Sequence, residues 1–182
     1  WSPTSFPTIA FGQGLSVNAV QVTSVFSTIA NDGLRVEPSL VKAIVHEDGS
    51  IEEPKAPETT RVVSRDTAKQ VRAMLESVVG EGGTATNARI PGYRVGGKTG
   101  TAQVVDARTG GYSNQVIASF VGMAPADNPQ LVVGVFVSQP QSGRYGGELG
   151  APVFKKVSSY ALGALEIPPT GSKAPKLALT FG

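Results

Sequence analysis

Val95-Gly96-Gly97-Lys98-Thr99-Gly100-Thr101-Ala102-Gln103 places a fixed cation and two hydroxyls on neighbouring positions among glycines. A cation beside hydroxyl donors suits a carboxylate. The glycines let a ligand approach the backbone without a Cβ in the way. In an extended strand, Lys98 and Gly100 point to one face, and Thr99 and Thr101 to the other. An exposed main-chain N–H in such a strand can hold an oxyanion.

The same residues satisfy a phosphate-loop expression, since Gly92 to Thr99 reads G-x-x-x-x-G-K-T. A phosphate loop needs a buried strand before it and a helix directly after, so that helical N–H groups face the phosphates. Here TAQVVD follows Lys98 and is β-like, and Arg89-Ile90-Pro91 makes a poor central strand. The nucleotide reading therefore fails on context.

Composition narrows the chemistry further. The 182 residues contain no Cys and one His, His46. Thiol nucleophiles, Cys-ligated zinc, iron–sulfur clusters and His-rich metal centres are excluded, and no metal or cofactor is expected. Sixteen Lys and Arg against fourteen Asp and Glu leave a net charge of +2, weak support for nucleic-acid binding, and none is expected. A hydrophobic content of 40% is enough for a core, and the length suits one domain. No apolar run approaches the ~18 residues of a membrane span. The chain opens on Trp1 with no charged leader, which reads as a fragment or processed chain, and Trp1 is expected to have packed on preceding residues.

The elements that must carry the Lys98 segment can be read in outline. Residues 1–14 read as loop. A helix is expected over 15–31, capped by Ser16, with Val17, Val20, Val25 and Ile29 on its apolar stripe. An extended stretch interrupted by Pro38 follows, with a hairpin turn at His46–Ser50. Ser64 caps a helix over 65–79 with Val71, Met74, Leu75 and Val78 on one face. Strands are expected from Lys98 to about Asp106, over 115–123 and over 130–138, as an antiparallel meander. Tyr112-Ser113-Asn114 reads as turn chemistry, and Gly143, Gly146, Gly147 and Gly150 as a loop in which Arg144-Tyr145 could line a cleft. A last helix spans 151–165 with Pro152 in its first turn and Phe154, Val157 and Tyr160 packed inward. The expected fold class is α+β, an antiparallel sheet with flanking helices over residues 1–167, followed by a Pro-rich extended tail at 168–182.

At GGKTGTAQ the sequence resembles the third motif of the class B penicillin-binding proteins, serine enzymes marked by Ser-x-x-Lys, Ser-x-Asn and Lys-Thr-Gly. The flanks resemble the family in the same order: FGQGLSVNAVQVTSVFSTIANDG, GEGGTATNARIPGYRV, SFVGMAPADNPQLVVGVFV and GAPVFKKV. The resemblance covers about residues 10–165 and implies the C-terminal portion of a transpeptidase domain with a serine β-lactamase-like fold, leaning to the septal branch. It implies catalytic roles for Lys98, Thr99, Gly100 and Thr101, with Thr101 supplying the oxyanion N–H, and substrate contacts from Thr99, Thr101 and Gly97. The implied partners are the D-Ala–D-Ala end of a peptidoglycan stem peptide, β-lactams, the upstream half of the same domain and division-machinery proteins. The implied location is the outer face of the cytoplasmic membrane, with an anchor upstream.

The nucleophile is missing from these residues. Ser39-Leu40-Val41-Lys42 is the only Ser-x-x-Lys, and it reads as strand, where positions i and i+3 face opposite ways. Ser16-Val17-Asn18 is a Ser-x-Asn that precedes it, the reverse of the family order. The chain is thus expected to hold the Lys-Thr-Gly half of a site and to be inactive alone. The alternative is a non-catalytic penicillin-binding-like sensor domain that keeps the fold for recognition.

Overall fold

The computed structural model describes residues 3, 5–10, 12, 14–106, 108–175 and 177. The element order is α1 (Ser5–Ala10), α2 (Ala19–Ala30), β1 (Leu34–Val36), β2 (Ile44–Val45), β3 (Ile51–Glu52), β4 (Thr59–Arg61), α3 (Arg65–Val79), a 3-10 turn (Thr86–Ala88), β5 (Gly96–Val105), β6 (Tyr112–Ala124), β7 (Leu131–Ser138) and α4 (Gly146–Ala164). The expectation about Trp1 lies outside the described residues, as does the tail at Lys176 and beyond Leu177.

The meander forms as the alternating β-rich runs require. β5, β6 and β7 pair antiparallel in that order, with Lys98 opposite Val121 and Val121 opposite Gly134. Helices cover both faces. On one side a Cβ built on Gly96 would touch Leu75 of α3, and one on Gly134 would strike Thr23 of α2. On the other side Phe120 of β6 meets Phe154 of α4 edge-on, ring centroids 5.0 Å apart. Both phenylalanines are fully buried, joined by Ala151, Leu162, Ala88 and Ile90 in one core. The α+β expectation therefore holds.

Several local expectations need correction. Residues 5–10 are helix rather than loop. Asn18, not Ser16, caps α2: its side chain accepts from the Gln21 N–H while Gln21 answers through the Asn18 N–H. Asn18 has the i+3 amide partner that closes a box, which Ser16 lacks. The Val17, Val20 and Val25 stripe is exposed, and only Thr28 of α2 is buried. Val20 and Val25 instead line a groove of about 670 Å³ that also takes in Arg35, Val62 and Val63. Met74 is exposed, whereas Glu76 is buried in its place because Arg94 neutralises it. Residues 38–43 belong to no strand. Tyr112, Ser113 and Asn114 lie within β6, beyond a register shift opposite Gln103–Val105, instead of forming a turn. The expected cap at Ser64 and the hairpin around His46–Ser50 are present.

The largest correction concerns α4. Gly146, Gly147 and Gly150 lie inside the helix, which starts five residues earlier than expected, so Pro152 sits beyond the first turn. Their lack of a side chain serves contact rather than looping. A Cβ on Gly146 would lie 1.8 Å from the Ser119 carbonyl oxygen, and one on Gly147 2.1 Å from that of Thr84. Each glycine costs a helix about 1 kcal/mol of propensity. Here that loss lets the first two turns sit directly on the sheet. Ala151, Phe154, Ser158 and Leu162 form the inward stripe, while Val157 and Tyr160 face out.

A part-buried charge cluster ties residues 170–172 to this body. Arg94 forks onto Glu76, with Nε to Oε2 at 2.8 Å and Nη2 to Oε1 at 2.6 Å. Its Nη1 donates to Ser172 Oγ at 2.9 Å. Ser172 and Thr170 both donate to Asp127 Oδ2. Burial pushes the Asp127 carboxyl up, but these hydroxyls and the Arg94 charge outweigh it and hold the pKa below the usual value.

Candidate active site

Lys98, Thr99, Gly100 and Thr101 sit at the middle of β5, the edge strand of the meander. The sheet's own alternation shows which way their main chain points. Gln139 N–H donates to Val116 O, so Val116, Ala118 and Phe120 of β6 bond toward β7. Ile117, Ser119 and Val121 therefore bond toward β5, to Ala102, Gly100 and Lys98. Gly97, Thr99 and Thr101 are left with N–H and C=O directed away from the sheet. Among the described residues no strand pairs with that edge.

Side chains divide as the pleat demands. Lys98 shares a face with Gly96, Val121 and Gly134, on the α2 and α3 side. It is exposed, and its Nζ donates to Thr99 O at 3.0 Å, reaching round to the open edge. Gly97, Thr99 and Thr101 share the α4 face with Phe120 and Gly122. Thr99 is half-buried and Thr101 exposed. The edge thus collects one cation, two outward N–H groups and two hydroxyls within four residues.

Of the two glycines here, Gly97 is a steric requirement. A Cβ on Gly97 would sit 2.4 Å from the Phe120 ring, and one on Gly100 2.5 Å from Ser119 Oγ. At Gly97 the Val121 carbonyl is also within 2.8 Å, so a side chain there would push β5 off β6, whereas at Gly100 the Ser119 hydroxyl can rotate aside.

One neighbour carries no local sequence signal. Thr84 Oγ1 lies 3.2 Å from Thr99 Oγ1. Fifteen residues separate them in the chain, so only the tertiary fold reveals the pair. Asn87 donates to Gly147 O at 3.3 Å and holds the α4 start beside it. Of the other candidates, Arg144 donates to Asn114 O at 3.4 Å and Tyr145 precedes α4 with 59% exposure. His46 is exposed and pairs with Glu52 at 3.1 Å on the hairpin.

The decoys are occupied elsewhere. Ser39 Oγ is closed on the Val41 backbone, donating to its O and accepting from its N–H. Asn18 is committed to the α2 cap. The phosphate-loop context is absent, since Gly97–Thr99 lie within a strand and no helix follows. Among the described residues no cluster of three or more His, Asp or Glu could hold a metal ion.

Residues 1–159 match the penicillin binding protein transpeptidase domain, and the chain belongs to this family, in its class B branch. It is 38% identical to penicillin-binding protein PbpB of Mycolicibacterium smegmatis over 98% of its own length and 29% of that protein's. It is 39% identical to stage V sporulation protein D of Bacillus subtilis, over 96% of this chain and 27% of that one. A third relative, at 36% over 93% of this chain and 28% of its own length, is the Neisseria meningitidis protein named "Probable peptidoglycan D,D-transpeptidase PenA". Among solved structures, penicillin binding protein 3 of Mycobacterium tuberculosis complexed with ampicillin superposes with a TM-score of 0.89 at 37% identity, over 100% of this chain and 42% of that one. The chain spans under a third of the length of these curated relatives.

Proposed function

We propose that this chain carries the Lys-Thr-Gly half of a peptidoglycan D,D-transpeptidase site, completed by a serine nucleophile outside these 182 residues. The serine oxygen attacks the carbonyl of the penultimate D-Ala of a stem peptide. The bond to the terminal D-Ala breaks, that residue leaves as a protonated amine, and the acyl group stays on serine. An amine of a neighbouring stem peptide then attacks the ester and restores the serine hydroxyl. The Thr101 N–H holds the oxyanion of both tetrahedral intermediates. Hydroxyls of Thr99 and Thr101 bind the substrate's terminal carboxylate, and Lys98 supplies the positive charge that draws it in. Gly97 keeps β5 packed on β6, and Gly100 leaves the strand open to the ligand. A β-lactam presents the same carboxylate beside a reactive carbonyl and acylates the same serine.

The observation that supports this reading best is the open β5 edge, where Thr99 and Thr101 turn their N–H groups outward beside Lys98. The names of the relatives support the same reaction. The reading places the domain on the outer face of the cytoplasmic membrane, with division-machinery proteins as neighbours and no nucleic acid or cofactor involved. It is tested by stopped-flow acylation of the full-length protein with a fluorescent penicillin. Lys98→Met is expected to slow acylation at least tenfold with the fold unchanged. An unaltered rate would remove Lys98 from the chemistry, and complete absence of acylation in the unaltered protein would favour a non-catalytic recognition domain.

A further inference from the structure

We infer that Thr84 is a positioning residue for the site, acting through the hydroxyl of Thr99. This rests on the reading of Thr99 as a ligand of the substrate carboxylate. Thr84 Oγ1 lies 3.2 Å from Thr99 Oγ1, close enough for one hydrogen bond. Each hydroxyl has one proton and two lone pairs. When Thr84 donates, Thr99 accepts through a lone pair, and its own proton is free to point at the open edge of β5. Thr99 is then fixed in one rotamer and its O–H is polarised by the bond it accepts.

The local backbone explains why Thr84 can do this. The next residue, Ala85, is buried and donates its N–H to Val78 O at 3.0 Å at the end of α3. The preceding Gly83 is pressed on the same carbonyl, where a Cβ would come within 2.2 Å. The Thr84 carbonyl abuts Gly147, where a Cβ would come within 2.1 Å. Thr84 is therefore gripped between the end of α3 and the start of α4 while its side chain stays exposed beside β5. A hydroxyl so held has little rigid-body freedom, and its partner Thr99 gains a fixed reference.

The test measures the second-order acylation rate of the full-length protein by a penicillin and by the methyl ester of the same penicillin. Thr84→Val removes the hydroxyl with little change in shape, and loss of one neutral hydrogen bond is expected to slow the free acid about 3–10-fold. The ester, which has no carboxylate charge, is expected to react at the same rate in both proteins. Thr84→Ser is expected to restore the rate, and Thr84→Ala serves if Val perturbs melting. In a Thr99→Val background, Thr84→Val is expected to add less than a twofold loss, because its target is gone. Equal slowing of acid and ester, no slowing at all, or a full additional loss in the Thr99→Val background would each overturn the inference. The last of these would instead make Thr84 a direct ligand. If Thr99→Val slows acylation while Thr84→Val does not, only the positioning role fails. If Thr99→Val has no effect, the carboxylate reading of Thr99 fails with it.

Discussion

Alanine at position 147 sets two opposing effects against each other. Glycine is about 1 kcal/mol worse than alanine inside a helix, so propensity alone favours Gly147→Ala. Against this, the new methyl would lie 2.1 Å from the Thr84 carbonyl oxygen, where real contacts do not fall below 3.0 Å. The neighbour is backbone, pinned by the Ala85–Val78 hydrogen bond, and cannot rotate away. Either α4 or the 83–85 segment must move by about 1 Å, and overpacking of this kind costs roughly 1–3 kcal/mol. Because the clash is with backbone, the steric effect wins, with a net loss of up to about 2 kcal/mol. Gly163 supplies the control on the same helix, because nothing lies within 4 Å of its Cβ position. Gly163→Ala is expected to stabilise by up to about 1 kcal/mol. In thermal melting of the full-length protein, Gly147→Ala should lower Tm and Gly163→Ala should raise it. Two equal rises would refute the claim that α4 begins in hard contact with the 83–85 segment.

Other consequences follow from buried groups. Arg94→Met leaves Glu76 and Asp127 without their cation, and because only Glu76 is buried the cost is expected to fall below the about 3–5 kcal/mol of a wholly buried pair, read as a fall in Tm. The Arg94→Met/Glu76→Gln double variant should recover part of this loss, and strict additivity would argue against coupling. Phe154→Ala empties a fully buried site against Phe120 and should cost about 3–5 kcal/mol in chemical unfolding. Asp127 and Asp32 both have pKa values below the ordinary range, Asp32 chiefly through its hydrogen bond from Arg72. The folded state therefore binds these protons less readily than the unfolded one. Their stabilisation is complete above the unfolded carboxylate pKa of about 3.9 and declines as pH falls through the lower folded values. Melting followed from pH 6 to pH 3 should show Tm falling in the acid limb, and Asp127→Asn should shrink that fall.

Much of this architecture was legible because its signals are local. The meander follows from alternating β-rich runs and the turn residues between them, and Ser64 announces α3 by capping chemistry alone. Lys98 to Thr101 stood out for the same reason, since four adjacent residues carry the charge, hydroxyls and open backbone. What stayed hidden depends on contact between distant segments. Gly146 and Gly147 look like loop residues until the Ser119 and Thr84 carbonyls are seen against them. The Val17, Val20 and Val25 stripe resembles a core-facing helix, yet all three are exposed, and Val20 and Val25 line an open groove, because burial depends on what packs there. Glu76 reads as a surface acid until Arg94 arrives from eighteen residues away. Thr84 offered nothing but its position beside a glycine pair, and only the folded β5 edge gives its hydroxyl a partner.

The most direct test of the central claim is intact-mass spectrometry after incubation with a penicillin, with this 182-residue chain and the full-length protein side by side. The account requires one acyl adduct on the full-length protein and none on the isolated chain, because Lys98, Thr99 and Thr101 bind and stabilise but do not supply the nucleophile. An adduct on the isolated chain, above all at Ser39, would contradict it and place a complete site within these residues.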